Sequence, residues 1–157
     1  MKKVLVELNE REVAKIKRIL NENEVIVVDN INEDNYEEYI GKTVKVTGDV
    51  VLTNLGLTKL PINFTEVGGS FYCFKNKLSS LEGAPEKVGR DFYCSFNELS
   101  SLEGAPKLVG GEYSCQRNAL TSLEGSPKFV GRDFDCRDNK LKSFEGGPEF
   151  IGGGFIS

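Results

Sequence analysis

From Val67 to Phe150 the apolar positions of the chain recur with a period of 21 residues, visible in four consecutive copies that begin at Val67, Val88, Val109 and Val130. Each copy runs aromatic-x-Cys-x-x-Asn-x-Leu-x-x-Leu/Phe-x-Gly-x-Pro-x-x-apolar-Gly, and the cysteines Cys73, Cys94, Cys115 and Cys136 mark the register. A fixed period of this length predicts a β-rich solenoid in which each copy is one coil that buries its apolar face only against its neighbours. Strand side chains alternate in direction, so the pattern predicts inward rows of Phe71, Phe92, Tyr113 and Phe134 and of the four cysteines. Leu78, Leu99, Leu120 and Leu141, with Leu81, Leu102, Leu123 and Phe144, are expected to complete the core. Asn76, Asn97, Asn118 and Asn139 follow each strand, where an inward amide can satisfy backbone groups at a bend. The glycines and Pro85, Pro106, Pro127 and Pro148 shape the return path.

Before the repeats the pattern changes. Val4, Leu5, Val6 and Leu8 predict a short strand. Asn9 with Glu12 forms a capping-box pair ahead of Val13, Ile16 and Leu20, which predicts an amphipathic helix from Glu10 to about Asn21. The β-branched run Val25 to Val28 reads as a buried strand. Asp34 and Glu37 offer a second capping box, Tyr36, Tyr39 and Ile40 an apolar face, and Gly41 a stop. Residues 1–43 are therefore expected to be a small α/β N-terminal cap, and residues 44–157 a solenoid of about five coils, the last incomplete. The first coil, from Val46, fits the frame with Val50, Leu52, Leu57 and Leu60, and carries Leu52 and Leu55 in the cysteine and asparagine slots.

The segment Phe92-Tyr93-Cys94-Ser95-Phe96-Asn97-Glu98-Leu99, followed by Leu102, resembles the leucine-rich-repeat pattern L-x-L-x-x-N-x-L-x-x-L, with Phe and Cys in the strand-leucine slots. The short period with Gly-x-Pro after the last leucine is similar to the short repeats of bacterial type III effectors. The SLEGAP phrase, at Leu81 to Pro85 and Leu102 to Pro106, resembles small leucine-rich-repeat proteins encoded by tailed phages and bacteria. The resemblance implies a leucine-rich-repeat type solenoid that binds other proteins, such as an inhibitor or adaptor acting on a host or defence protein.

Charge and composition narrow the chemistry. The net charge of −4 gives a nucleic-acid backbone an unfavourable average field, so no nucleic-acid partner is expected. No apolar run is long enough to span a membrane, no signal-peptide apolar stretch develops after Lys2-Lys3, and a cytoplasmic location is expected. The chain has no histidine, which removes Ser-His and Cys-His nucleophile pairs and histidine general bases. Cysteines one coil apart lack the close-pair spacing of metal sites, and are expected to be buried apolar spacers with no metal or cofactor. Glu82, Glu103, Glu124 and Glu145 recur with the repeat as solvated positions, and a carboxylate dyad of Asp133 with Asp135 is the remaining acid–base candidate. The Gly-Gly pairs at 68–69, 110–111 and 152–153 lack the Gly-Lys-Ser/Thr of a phosphate loop and read as tight turns before the strand.

The outward positions vary from coil to coil and are where function is expected. They are Ser70, Tyr72 and Phe74, then Asp91, Tyr93 and Ser95, then Glu112, Ser114 and Gln116, then Asp133, Asp135 and Arg137, with Lys75, Phe96, Arg117 and Asp138 at the bends. Tyr72, Phe74, Tyr93 and Phe96 gather as an aromatic centre; Asp91, Glu112, Gln116, Arg117, Asp133, Asp135 and Arg137 form a charged rim. The expected function is a non-enzymatic protein-binding module using the concave strand face. The competing expectation is an assembly protein whose open solenoid end associates, with two copies pairing the C-terminal edge strand at Gly152 to Ser157 as a homodimer. Carbohydrate binding would draw on the same aromatics and acids.

Overall fold

A computed structural model describes residues 8–22 and 24–157, and shows a β-solenoid of 21-residue coils preceded by one helix. Each coil contributes one short strand to each of two parallel sheets. The first sheet has seven strands, from Val25–Val28 and Thr43–Val46 through Asn63–Val67, Lys87–Val88, Leu108–Val109 and Phe129–Val130 to Phe150–Ile151. The second has six, from Val50–Val51 through Phe71–Tyr72, Phe92–Tyr93, Tyr113–Ser114 and Phe134–Asp135 to Phe155–Ile156. Register is in phase along the second sheet, so Phe71, Phe92, Tyr113, Phe134 and Phe155 are successive partners, while the first sheet shifts register once, between Val44 and Val46 where Thr43–Val46 meets Asn63–Val67.

That register places like on like. The inward rings stack with centroids 5.2 Å apart for Phe71–Phe92, 5.3 Å for Phe92–Tyr113 and 5.4 Å for Tyr113–Phe134. The cysteine column and Leu78, Leu81, Leu99, Leu102, Leu120 and Leu123 are buried behind them, as expected from the pattern. The last coil departs from it: Leu141 is only partly buried and Phe144 is 54% exposed, because among the described residues no further full coil lies over them.

The asparagine column ties the coils together. The amide oxygen of Asn97 accepts the Leu78 N–H of the preceding coil at 3.0 Å, while its amide nitrogen donates to the carbonyls of Cys73 at 3.0 Å and Cys94 at 3.1 Å. Asn118 and Asn139 repeat the pattern on Leu99 and Leu120. Asn76 does the same against the first coil, accepting from Leu55 and Leu57.

Two features of the corners were not foreseen. The residue before each asparagine's own position, namely Lys75, Phe96, Arg117 and Asp138, together with Asn54, has a left-handed backbone with φ between 53 and 58°. The Gly-Gly pairs, in contrast, are not left-handed turns; they are required by close approach. A Cβ at the first glycine of each corner would fall on the backbone of the preceding coil, as at Gly89 against Gly68 and Gly110 against Gly89. A Cβ at the second glycine, Gly69, Gly111 or Gly153, would fall on the carboxylate of Asp49, Asp91 or Asp133 one coil earlier. Those carboxylates cap the next coil, accepting N–H from Ser70 at 2.7 Å, Glu112 at 2.8 Å and Gly154 at 2.6 Å. Where the preceding coil has Ser70 or Glu112 instead, the slot holds an arginine, Arg90 or Arg132. Asp and Gly therefore alternate as a pair with every second coil.

The N-terminal segment corrects several expectations. Asn9 and Glu12 do form the reciprocal capping box at 3.0 Å, and the helix runs Glu10–Glu22, but Ile16, Ile19 and Leu20 on its apolar side are exposed. Val25–Val28 is a strand, yet not a buried one: among the described residues it is the outermost strand of the first sheet and no layer covers its outward side, where Val27 is 62% exposed. The second capping box does not form. The side chain of Asn32 accepts the Asp34 N–H and that of Asn35 accepts the Asn32 N–H, ahead of a 3-10 turn at Tyr36–Tyr39. Tyr36 and Tyr39 pack on the core, while Ile40 is exposed. The expected strand at Val4 to Val6 lies outside the described residues. Both sheets run on into this segment, since Val25–Val28 pairs in register with Thr43–Val46 and Ile31 bridges to Val50. The boundary expected after residue 43 thus falls within the strand Thr43–Val46.

Two stability measurements test this account. Asn97→Ala leaves the buried Leu78 N–H without an acceptor, while the Cys73 and Cys94 carbonyls keep their bonds from Asn76 and Asn118, and is expected to cost on the order of 1 to 3 kcal/mol in chemical denaturation. Gly111→Ala is expected to cost about 1 to 3 kcal/mol by overpacking against Asp91. Adding Asp91→Ser, which recreates the natural Ser70 and Arg90 arrangement, is expected to recover most of that loss.

Candidate functional site

The outward face of the second sheet holds the residues singled out from the sequence, and the two-residue strands set their order. Tyr72 and Tyr93 are directly paired and their rings stack at 5.5 Å with an interplanar angle of 12°. Phe74 meets Tyr72 edge-on at 6.5 Å. Phe96 does not join this cluster: at the bend, its exposed ring lies under the Arg117 guanidinium, 4.9 Å from the ring centroid. A left-handed backbone is unfavourable for a bulky residue, so Phe96 is held in a position that asparagine or glycine would occupy at lower cost.

The charged residues are largely committed to partners within the molecule. The Tyr93 hydroxyl donates to Glu112 at 3.0 Å, and burial followed by this hydrogen bond pushes the Tyr93 phenol well up from its ordinary value. Asp91 and Asp133 use one oxygen each to cap the next coil. Arg137 forks onto Asp135, with Nε to Oδ1 at 3.1 Å and Nη2 to Oδ2 at 2.8 Å, and this partner raises the arginine further. Asp135 is 3% exposed, so the carboxylate lies beneath the guanidinium rather than at the surface. Arg117 bridges to Asp138 at 3.1 Å, and Gln116 is half-buried. Outward Ser70, Ser95 and Ser114 are buried as well; Ser95 and Ser114 share a hydroxyl hydrogen bond of 2.8 Å under the neighbouring side chains. The surface that remains open is the aromatic group of Tyr72, Phe74 and Tyr93, with Phe96 apart from it at the bend, edged by Asp91, Glu112 and Asp133.

Asp133 and Asp135 do not make a dyad, because one caps Gly154 and the other is neutralised by Arg137. The four thiols lie in the core, unoxidised, and each of the last three faces a backbone carbonyl of the following coil at 3.5 Å. Burial pushes the Cys94 thiol up to about 12, and raises Cys73 and Cys115. Among the described residues no group of three or more metal-capable side chains converges, and no helix is long and apolar enough to cross a membrane.

A second surface was missed. On the outward side of the first sheet, one register position holds Glu66, Lys87, Leu108, Phe129 and Phe150 in successive coils. The sequence signal for it was present, as the position before the apolar-Gly corner turns from charged to aromatic along the chain. A two-residue strand offers too little alternation to show that these side chains point outward.

Compared with known proteins, the chain matches no family model, no curated protein and no solved structure.

The thiol environment is testable directly. Thiol reagents at neutral pH are expected to leave all four cysteines unmodified in the native protein and to modify all four in denaturant. Because the folded Cys94 thiol stays protonated above its ordinary value of 9.0, the associated stability is present in full below about pH 9 and is lost as pH rises toward about 12. Denaturation midpoints measured from pH 7 to beyond pH 9 should fall only in the alkaline part of that range.

Proposed function

We propose that the chain is a non-enzymatic protein-binding module that docks its partner on the outward face of the second sheet, the side expected to be concave. The observation that carries this reading is the stacked Tyr72–Tyr93 pair with Phe74 beside it and Phe96 maintained at the bend in an unfavourable backbone conformation. Aromatic groups with a polar margin are the surfaces on which binding energy concentrates, and solenoids bind through extended sheet faces. The resemblance of the SLEGAP phrase to phage and bacterial leucine-rich-repeat proteins supports an inhibitor or adaptor directed at a host or defence protein. A cytoplasmic setting accords with four free buried thiols.

A second reading is self-assembly through the end of the solenoid. It is favoured by the exposure of Phe144 and Phe155, whose rings meet edge-on at 5.0 Å, and by the edge strand Phe155–Ile156. In that reading the C-terminal edges of two copies pair about a two-fold axis as a homodimer.

Affinity capture distinguishes the two. A protein retained by the wild type and by a Lys45→Ala control, but lost with Tyr72→Ala and Tyr93→Ala, supports the sheet-face site. Capture that is unchanged by both tyrosine substitutions rules it out. With the partner in hand, Tyr93→Ala is expected to weaken binding by about 2 kcal/mol or more. Phe96→Asn is expected to weaken binding while leaving the denaturation midpoint equal or higher, since asparagine accepts the left-handed backbone.

A further inference from the structure

The outward row of the first sheet changes character along the solenoid. Toward the N-terminus it is an ion ladder, with Glu66 bridged by Lys45 at 2.9 Å and Lys87 at 3.6 Å. Beyond it the same register holds Leu108, Phe129 and Phe150. Phe129 and Phe150 stack at 4.8 Å with an interplanar angle of 7°, yet the stack leaves Phe129 38% and Phe150 51% exposed. Alongside runs a charged column of Glu86, Lys107, Lys128 and Glu149, bridged in pairs at 3.2 Å and 3.4 Å.

We propose that this apolar stripe is a pairing surface for a second copy of the chain, related by a two-fold axis that runs along the strands between the coils of Phe129 and Phe150. Such an axis reverses the order of coils but preserves each side chain's place along the strand, so matching columns meet face to face. It sets Phe129 against the second copy's Phe150, and Lys128 against the second copy's Glu149, with the same contacts repeated in reverse. Charge and the rings together decide the position. An axis one coil earlier would oppose Lys107 to Lys128 and Glu86 to Glu149. An axis on the Phe129 coil would oppose Lys128 to itself, and one on the Phe150 coil would oppose Glu149 to itself. Like charges at a closing interface are disfavoured, which leaves the first position and an axis between the coils of Lys87 and Leu108, and only the first sets ring against ring, the second placing Lys87 on the second copy's Leu108. The contact buries a face of the first sheet and is therefore distinct from edge-to-edge pairing. It uses none of the residues of the partner-binding face on the second sheet and stands independently of that reading.

Sedimentation equilibrium on the full chain tests it. The wild type is expected to be a dimer at tens of micromolar. Lys128→Glu and Glu149→Lys are each expected to weaken dimerisation by about tenfold or more, and the double variant Lys128→Glu with Glu149→Lys to restore it. Both positions are exposed, so an unchanged thermal midpoint serves as the folding control. Phe129→Ser is expected to abolish the dimer, and Tyr93→Ala to leave it unchanged. A monomeric wild type overturns the proposal. So does a dimer indifferent to either charge reversal, which is the behaviour of an edge-paired dimer, or a double variant no better than the single ones.

Discussion

Stacking in register is the constraint on which this molecule depends. Neighbouring strands about 4.8 Å apart bring every side chain against the one a single repeat away, so a residue type is admissible only if it tolerates its own company. Flat rings and small apolar groups do so readily, which accounts for the phenylalanine, cysteine and leucine columns. A buried polar column can persist only if each member bonds both ways. Asparagine fits because its amide oxygen takes an N–H from one coil while its nitrogen gives to carbonyls of two. Without it, the backbone groups released where the strand ends would be buried and unpaired, a cost of roughly 1 to 3 kcal/mol per coil.

Charged columns meet the same constraint differently. On the exposed flanks opposite charges alternate, as in Lys45, Glu66 and Lys87, or pair coil to coil, as in Arg117 with Asp138. At the corner the solution is steric. Each aspartate of Asp49, Asp91 and Asp133 reaches over the next coil to cap its backbone, and the next coil gives up its side chain to make room. This turns a one-coil repeat into a two-coil repeat at a single corner, and it explains why Gly-Gly and Gly-Arg take turns along the chain.

Most of the core could be read from the chain because a column occupied by one residue type four times over admits a single interpretation. Phe71, Cys73, Asn76 and Leu78 need only be seen together with their successors. The rest was illegible for identifiable physical reasons. Val25 to Val28 has the composition of a strand, but composition does not say whether a covering layer lies on its outer side, and among the described residues none does. Asp34 and Glu37 have capping-box spacing, yet Asn32 and Asn35 are better placed to satisfy the local N–H groups. The Gly-Gly pairs read as tight turns, and what requires glycine there is space against the preceding coil. Of the candidate site, the stacking of Tyr72 on Tyr93 followed from the repeat. The diversion of Phe96 to Arg117 and the burial of Asp135 beneath Arg137 depended on side-chain geometry at a left-handed bend that no residue type announced.

Constancy and variation are therefore written in different columns of the same repeat. A position that must stack on itself in the core has little freedom, and these positions hardly vary. An outward position is released from that demand, and here the two sheets use the release in opposite directions along the axis. The second sheet carries its aromatics on the N-terminal coils and closes its charges into pairs toward the C-terminus. The first sheet pairs its charges on the N-terminal coils and carries its aromatics toward the C-terminus. Each face thus has one half whose side chains satisfy one another and one half whose rings remain partly open to solvent. Apolar area left open on a β-face contributes nothing to folding beyond the ring contacts themselves, worth roughly 0.2 to 1 kcal/mol each. The left-handed backbone at Phe96 works against folding at the same place. The same backbone conformation at Lys75, Arg117 and Asp138 shows that the fold accepts polar residues there, and at Phe96 the ring gains only the Arg117 guanidinium while staying 38% exposed.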